Sequence, residues 1–203
     1  MMATCAARLV LLLFVAWSLL VDTGLVCFGA EMGTQEGTSG DGLVREKRKV
    51  AAARNGFNNE EKEMILQRHN YFRTLPGASN MLKMTWNPEL ENMAQMRAAR
   101  CKFEHKKNTD VAPGFSCVGE SLFITSAKTV DPLKVMQSWY DEVSFYNNET
   151  LSCKSDWCGH YTQIVWARSW AVGCGVKFCE KLQRPNKPDL KRINFVVCNY
   201  GPW

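Results

Sequence analysis

The chain has 203 residues, of which 46% are hydrophobic and 22% charged, and its formal net charge is +5. That length suits one domain or at most two small ones, and that balance excludes a globally disordered chain. A net charge this modest, with no single strongly basic run, also argues against nucleic acid as a partner.

Arg8 precedes an apolar run, Leu9 to Val21, that carries no charge. The run is shorter than the roughly 20 apolar residues that cross a bilayer, so no stable membrane span is expected. It reads as the core of a secretory signal peptide over residues 1–29, with small Gly29 and Ala30 suited to cleavage; a signal anchor is the alternative. Secretion favours disulfides over thiolate metal sites. Of nine cysteines, Cys5 and Cys27 leave with the signal. Seven remain, an odd number, so one thiol lacks an internal partner.

Residues 30–57 read as a flexible pro-segment or linker, rich in Gly, Ser, Thr and charge. Arg45, Lys47 and Arg48 form a candidate processing site within it, or else a solvated charge cluster.

Helical pattern begins at Asn59, with Asn58 or Asn59 as cap and Glu60 and Glu61 at the positive helix end. Ile65, His69 and Phe72 share one face, and Pro76-Gly77 stops the run. A second helix opens at Asn87-Pro88, with the stripe Leu90, Met93, Ala94, Arg97 and Cys101. A third opens at Asp131-Pro132, with the stripe Met136, Trp139, Tyr140, Val143 and Tyr146. Four segments read as strands: Val118 to Thr125, His160 to Trp166, Ala171 to Cys179 and Ile193 to Tyr200. Helices first and strands after give an α+β class. Glu180 to Arg192 reads as a solvated polar loop, or as a basic patch for heparin or acidic lipid. Asn148-Glu149-Thr150 is a glycosylation sequon.

The chain lacks His-Glu-x-x-His, Gly-x-Ser-x-Gly, a P-loop and a dinucleotide fingerprint. Three histidines are available. His69 lies on an apolar stripe and reads as a hydrogen-bonded structural residue. His105 stands at or past the end of the second helix, and His160 just after Cys158 and Gly159, at positions where a rigid element end can face a cleft. Glu120 and Glu142 border apolar runs and are either solvent-facing or paired. If both face the histidines, two imidazoles and two carboxylates make a site for zinc, copper or magnesium, with water completing the shell.

At these residues the chain resembles the CAP superfamily of cysteine-rich secretory proteins, antigen 5 venom allergens and plant pathogenesis-related proteins. Gly159-His160-Tyr161-Thr162-Gln163-Ile164-Val165-Trp166 matches one family signature and Phe195-Val196-Val197-Cys198-Asn199-Tyr200-Gly201-Pro202 the other. His69-Asn70-x-x-Arg73, Gly119-Glu120 and Trp139-Tyr140-Asp141-Glu142 follow in the family's order, and Cys153/Cys158 is similar to the glioma pathogenesis-related branch. The resemblance covers residues 58–203. It implies a three-layer α-β-α sandwich around a mainly antiparallel sheet, with His105, Glu120, Glu142 and His160 in one cleft and a divalent metal on the two histidines. It also implies the disulfides Cys101–Cys179, Cys174–Cys198 and Cys153–Cys158. Cys117 is then the odd thiol, either free and buried or bonded to a partner or to a cysteine missing from this chain. The family signature normally continues with Gly-Asn, so a chain stopping at Trp203 is expected to be a fragment or a short natural form. The resemblance does not extend to the channel-blocking module of venom relatives, so channel block is not expected.

The expectation is thus a secreted, non-enzymatic, extracellular binding protein with a metal cleft and a sterol or fatty acid as further ligand. A metal-assisted hydrolase or protease, with Glu142 or Glu120 as base, is the alternative. A third reading is an immune or signalling ligand that meets an extracellular protein partner through its surface.

Overall fold

The structure, a computed structural model, describes residues 55–105, 111–154 and 157–203. The signal, Arg45, Lys47, Arg48, Cys5 and Cys27 lie outside the described residues. Helix α1 spans Asn59–Thr74 and opens on a reciprocal cap. The Asn58 side chain accepts from the Glu61 amide at 2.9 Å, and the Glu61 carboxylate accepts from the Asn58 amide at 3.0 Å. Strand β1, Thr85–Trp86, leads into α2, Pro88–Ala99, which Asn87 caps through the Leu90 amide. Strand β2 is Gly119–Thr125, and α3, Pro132–Tyr140, is capped by Asp131. A 3₁₀ turn, Asp141–Phe145, follows. A short ribbon then pairs β3, Tyr146–Asn147, with β4, Ser152–Cys153. Helix α4 is Gly159–Ile164, and the chain ends in the long strands β5, Ala171–Arg184, and β6, Lys187–Gly201.

The main sheet has the order β1-β5-β6-β2. Only the β1–β5 pairing is parallel; the other two are antiparallel. Side chains alternate across it as the pleat requires. Val172, Cys174 and Val176 of β5 and Val196, Cys198 and Tyr200 of β6 meet Ile65 and Phe72 of α1, Met136 and Trp139 of α3, and Ile164 of α4. Phe195 and Val197 of β6 and Leu122 of β2 meet Ala94 and Ala98 of α2 on the opposite face. The result is the α-β-α sandwich of an α+β fold. Gly173 and Gly175 let α2 lie against the sheet: an added Cβ would stand 2.1 Å from the Glu91 nitrogen or 2.5 Å from the Gln95 Cα.

Four expectations are corrected. His160 to Trp166 is not a strand. Its first five residues fall within α4, because Tyr161 and Ile164, three apart, are its buried apolar residues, a helical spacing. The polar segment Glu180 to Arg192 is not a loop but the arms of the β5–β6 hairpin, paired through Leu182 and Leu190, with Asn186 at φ 57° in the turn. The third helix does not run to Tyr146, since it tightens into the 3₁₀ turn after Tyr140. The linker does not reach residue 57, because Phe57 is buried in the core and the Gly56 amide donates to the Val176 carbonyl at 2.8 Å.

The bonds Cys101–Cys179, Cys153–Cys158 and Cys174–Cys198 are present. Cys174 and Cys198 face each other directly across β5 and β6. Cys117 is not a free thiol, for it too is disulfide-bonded. Among the described residues no helix is long and apolar enough to cross a membrane.

Candidate functional site

Strand β2 is the edge of the sheet, and its first residues look both ways. Glu120 lies on the α2 face, while Gly119 lies opposite, under α4. A cleft of about 450 Å³ opens there, where the two helical layers approach each other around the sheet edge. It is lined by His105, Glu120, Glu142 and His160 together, and by Val118, Gly119, Trp157, Gly159, Thr162, Gln163 and Trp203.

His105 reaches the cleft from a segment that leaves α2 through Cys101, a residue with φ 48°. That segment is tied to β5: Phe103 N–H donates to the Gln183 carbonyl and Gln183 N–H to the Cys101 carbonyl, both at 2.8 Å. The His105 Nδ1 stands 3.2 Å from Glu120 Oε1. A carboxylate only accepts, so Nδ1 carries the proton in this contact and Nε2 is the nitrogen left for a ligand. The other Glu120 oxygen lies 3.6 Å from Arg97 Nε. Arg97 also donates to the Glu104 carbonyl, fixing the turn that carries His105.

His160 sits in the first turn of α4, a helix whose own N-cap, Cys158, provides no side-chain hydrogen bond. Glu142 supplies it from the 3₁₀ turn. Its Oε2 accepts the amides of His160 at 2.8 Å and Tyr161 at 3.3 Å, and its Oε1 stands 2.6 Å from His160 Nδ1. One carboxylate therefore caps the helix and sets the imidazole's tautomer. The ring is further held by Trp139, stacked at 5.4 Å between centroids and 17° between planes. Below, Gln163 Nε2 donates to Ser169 Oγ at 3.3 Å, and that hydroxyl donates to the Pro202 carbonyl at 2.6 Å. Buried Arg73 holds the next stretch by donating to the carbonyls of Ile164, Trp166, Ala167 and Ser169, and also to that of Leu82. Burial lowers its pKa to about 10.

The four residues singled out in the sequence thus meet in one cleft as two His–Glu pairs. His69 stays in the core, away from it. Among the described residues no group of three or more His, Cys, Asp or Glu side chains is arranged to hold a metal ion. What the cleft does contain is two imidazoles, each with Nδ1 against a carboxylate. Thr162, the hydroxyl in the cleft, donates to the Gly159 carbonyl of its own helix at 3.1 Å. Asn148 lies exposed in the turn of the β3–β4 ribbon. Arg97, Trp139, Trp157 and Trp203 were not anticipated in the site. Arg97 had a legible signal, a charge on the apolar stripe of α2, whereas the indoles join the cleft only through tertiary contacts.

Comparison with known proteins agrees with the fold. The model of the cysteine-rich secretory protein family, CAP, matches residues 66–200. Peptidase inhibitor 16 of Bos taurus is 38% identical over 149 residues, 72% of this chain and 30% of that protein. GLIPR1-like protein 1 of Homo sapiens is 40% identical over 143 residues, 68% of this chain and 56% of that protein. The chain thus spans about half or less of these relatives' length. Among solved structures, venom allergen-like protein 4 of Schistosoma mansoni superposes with a TM-score of 0.58 at 28% identity, covering 71% of this chain and 90% of that one. A crystal structure of NaASP2 with Zn²⁺ superposes with a TM-score of 0.55 at 25% identity, covering 73% and 82%.

Proposed function

The chain belongs to the cysteine-rich secretory protein (CAP) family, and on that premise we propose a secreted, non-enzymatic binding protein whose cleft takes a divalent cation on His105 and His160. The observation that carries this is the pair of imidazoles lining one cleft, each with Nδ1 held by a carboxylate. Such backing orients a ring and fixes its tautomer, leaving the other nitrogen for a ligand. The NaASP2 structure with Zn²⁺ supports the same reading by kinship. Imidazole donors favour zinc or copper over magnesium. Two protein ligands make a loosely held site, consistent with an accessory ion. When bound, the cation supplies a positive charge and exchangeable water positions, while Glu120 and Glu142 keep the rings in place.

A binding role is favoured over hydrolysis by a side-chain hydroxyl because Thr162, the cleft's hydroxyl, is turned into its own helix rather than toward an imidazole. The test is unfolding with and without zinc. At a hundredfold excess over Kd the ion should add about 2.7 kcal/mol of stability, and the double change His105→Ala/His160→Ala should remove the gain. An unchanged response in the double variant would sink the cation site. Peptide cleavage that vanishes in Glu120→Gln/Glu142→Gln would move the reading to a metal-assisted hydrolase.

A second ligand surface suits a fatty-acyl chain. A depression of about 370 Å³ between α1 and α3 is lined by Met64, Gln67, Arg68, Tyr71 and Leu133. Its apolar residues Met64, Tyr71 and Leu133, beside the Arg68 guanidinium, suit an acyl chain and its carboxylate. Fluorescent fatty acid should bind the protein and fail to bind Leu133→Asp; equal binding by both would exclude this groove.

A further inference from the structure

A cation on two imidazoles leaves much of the cleft wall without a purpose. Trp157 and Trp203 line the same cleft with 72% and 44% of their surface exposed. Burying a large aromatic side chain stabilises a fold, and here two indoles forgo much of that gain at the mouth of one pocket. Exposed aromatic surface concentrated at a cleft is characteristic of a surface kept for a ligand.

Trp203 is held in place. Its amide donates to the Cys117 carbonyl at 3.2 Å, and its ring stacks with Trp166 at 6.5 Å between centroids. Gly119 makes room for it, since an added Cβ there would lie 3.1 Å from Trp203 Cδ1 and 1.9 Å from Gln163 Oε1. Between the indoles the polar groups are largely compensated. Glu142 accepts from an imidazole and two amides, while Glu120 meets an imidazole through one oxygen and forms an ion pair with Arg97 at 3.6 Å through the other, which is buried. Both carboxylates are thus turned to the protein's own donors rather than offered to the open cleft. What it offers is aromatic faces beside groups that both donate and accept hydrogen bonds.

That combination matches a pyranose ring, which has a C–H face for an indole and hydroxyls for imidazole, amide and hydroxyl groups. We propose that the cleft binds a neutral oligosaccharide, with Trp157 and Trp203 as stacking platforms. This rests on the reading of the cleft as a ligand site but does not require a metal in it.

The full chain would be titrated in EDTA with cellotetraose and, separately, triacetylchitotriose, following tryptophan fluorescence and heat. The range runs to about 10 mM, which captures binding weaker than millimolar. At least one sugar should give a saturable response. Trp157→Ala and Trp203→Ala should each weaken it about tenfold or more. Trp170→Ala, which removes an exposed indole outside the cleft, should leave it unchanged. Circular dichroism checks folding, and Trp157, the more exposed indole, can be removed without touching the core. No saturable response, or wild-type binding by both cleft variants, overturns the inference. If zinc stabilisation survives in the wild type while sugar binding fails, this inference alone falls; if both fail, so does the reading of the cleft.

Discussion

His69 lies wholly inside the core, with Nδ1 2.8 Å from the Ile65 carbonyl and Nε2 3.0 Å from the Tyr200 hydroxyl. A carbonyl only accepts, so Nδ1 carries the proton and Nε2 accepts from the tyrosine. Burial raises the Tyr200 pKa, which keeps that hydroxyl a donor. Desolvation lowers the His69 pKa from 6.5 to about 4; the Ile65 bond opposes the shift and nearby Arg73 adds to it. Below pH 6.5 the unfolded chain therefore takes up a proton that the folded chain refuses. Its stabilising contribution is whole above about pH 6.5, falls as pH drops, and stops falling near pH 4. The full difference is about 3 kcal/mol. Urea unfolding across that window should show a pH dependence that shrinks by up to one proton in His69→Gln; an identical slope in the variant would refute the assignment. The structural reading of this residue was legible in the sequence because its neighbours at i−4 and i+3, Ile65 and Phe72, mark an inward face. Its partner Tyr200 was not, lying 131 positions away.

Element α2 is positioned by what β5 lacks. Gly173 and Gly175 point toward it, and its backbone at Asn87, Leu90, Glu91 and Gln95 fills the space that side chains would take. Alanine at Gly173 would bring a Cβ to 2.1 Å from the Glu91 nitrogen, and backbone cannot rotate away as a side chain can. Gly173→Ala should therefore cost about 1–3 kcal/mol or more in urea unfolding, as overpacking does. It should also weaken zinc stabilisation, because α2 carries Arg97 and leads into His105. A variant as stable as the wild type would show that the layers slide freely. The helix starts were readable because Asn58, Asn87 and Asp131 act through bonds within three residues of themselves. Helix α4 was misread because its aromatic and β-branched residues suit a strand, and only the burial of Tyr161 and Ile164 against the core decides otherwise. The β5–β6 hairpin was misread for the opposite reason. Its arms are polar apart from Leu182 and Leu190, so two apolar residues and backbone pairing hold them, and pairing leaves little mark on a single segment.

At the scale of the whole molecule, the cleft is built by two short segments brought to a sheet edge from far apart in the chain. Neither His105, beyond the end of α2, nor His160, in a six-residue helix, gains much rigidity from its own element. Each lies near a disulfide. Cys101–Cys179 joins residues 78 apart and ties the His105 segment to β5, while Cys153–Cys158 joins residues 5 apart and anchors the ribbon to the cap of α4. Chain entropy makes these bonds unequal: closing the long loop restricts the unfolded chain by about 4 kcal/mol and the short one by about 2. Their effects on the cleft need not follow that order, because the short bridge sits two residues before His160. Cys101→Ala/Cys179→Ala should therefore lose about twice the stability of Cys153→Ala/Cys158→Ala in urea unfolding. The short-bridge variant should nonetheless lose a larger share of its zinc stabilisation than its modest loss of global stability suggests. Equal zinc responses in wild type and short-bridge variant would mean that the Glu142 carboxylate and the Trp139 stack alone are enough to hold His160, and that the bridge serves the ribbon instead.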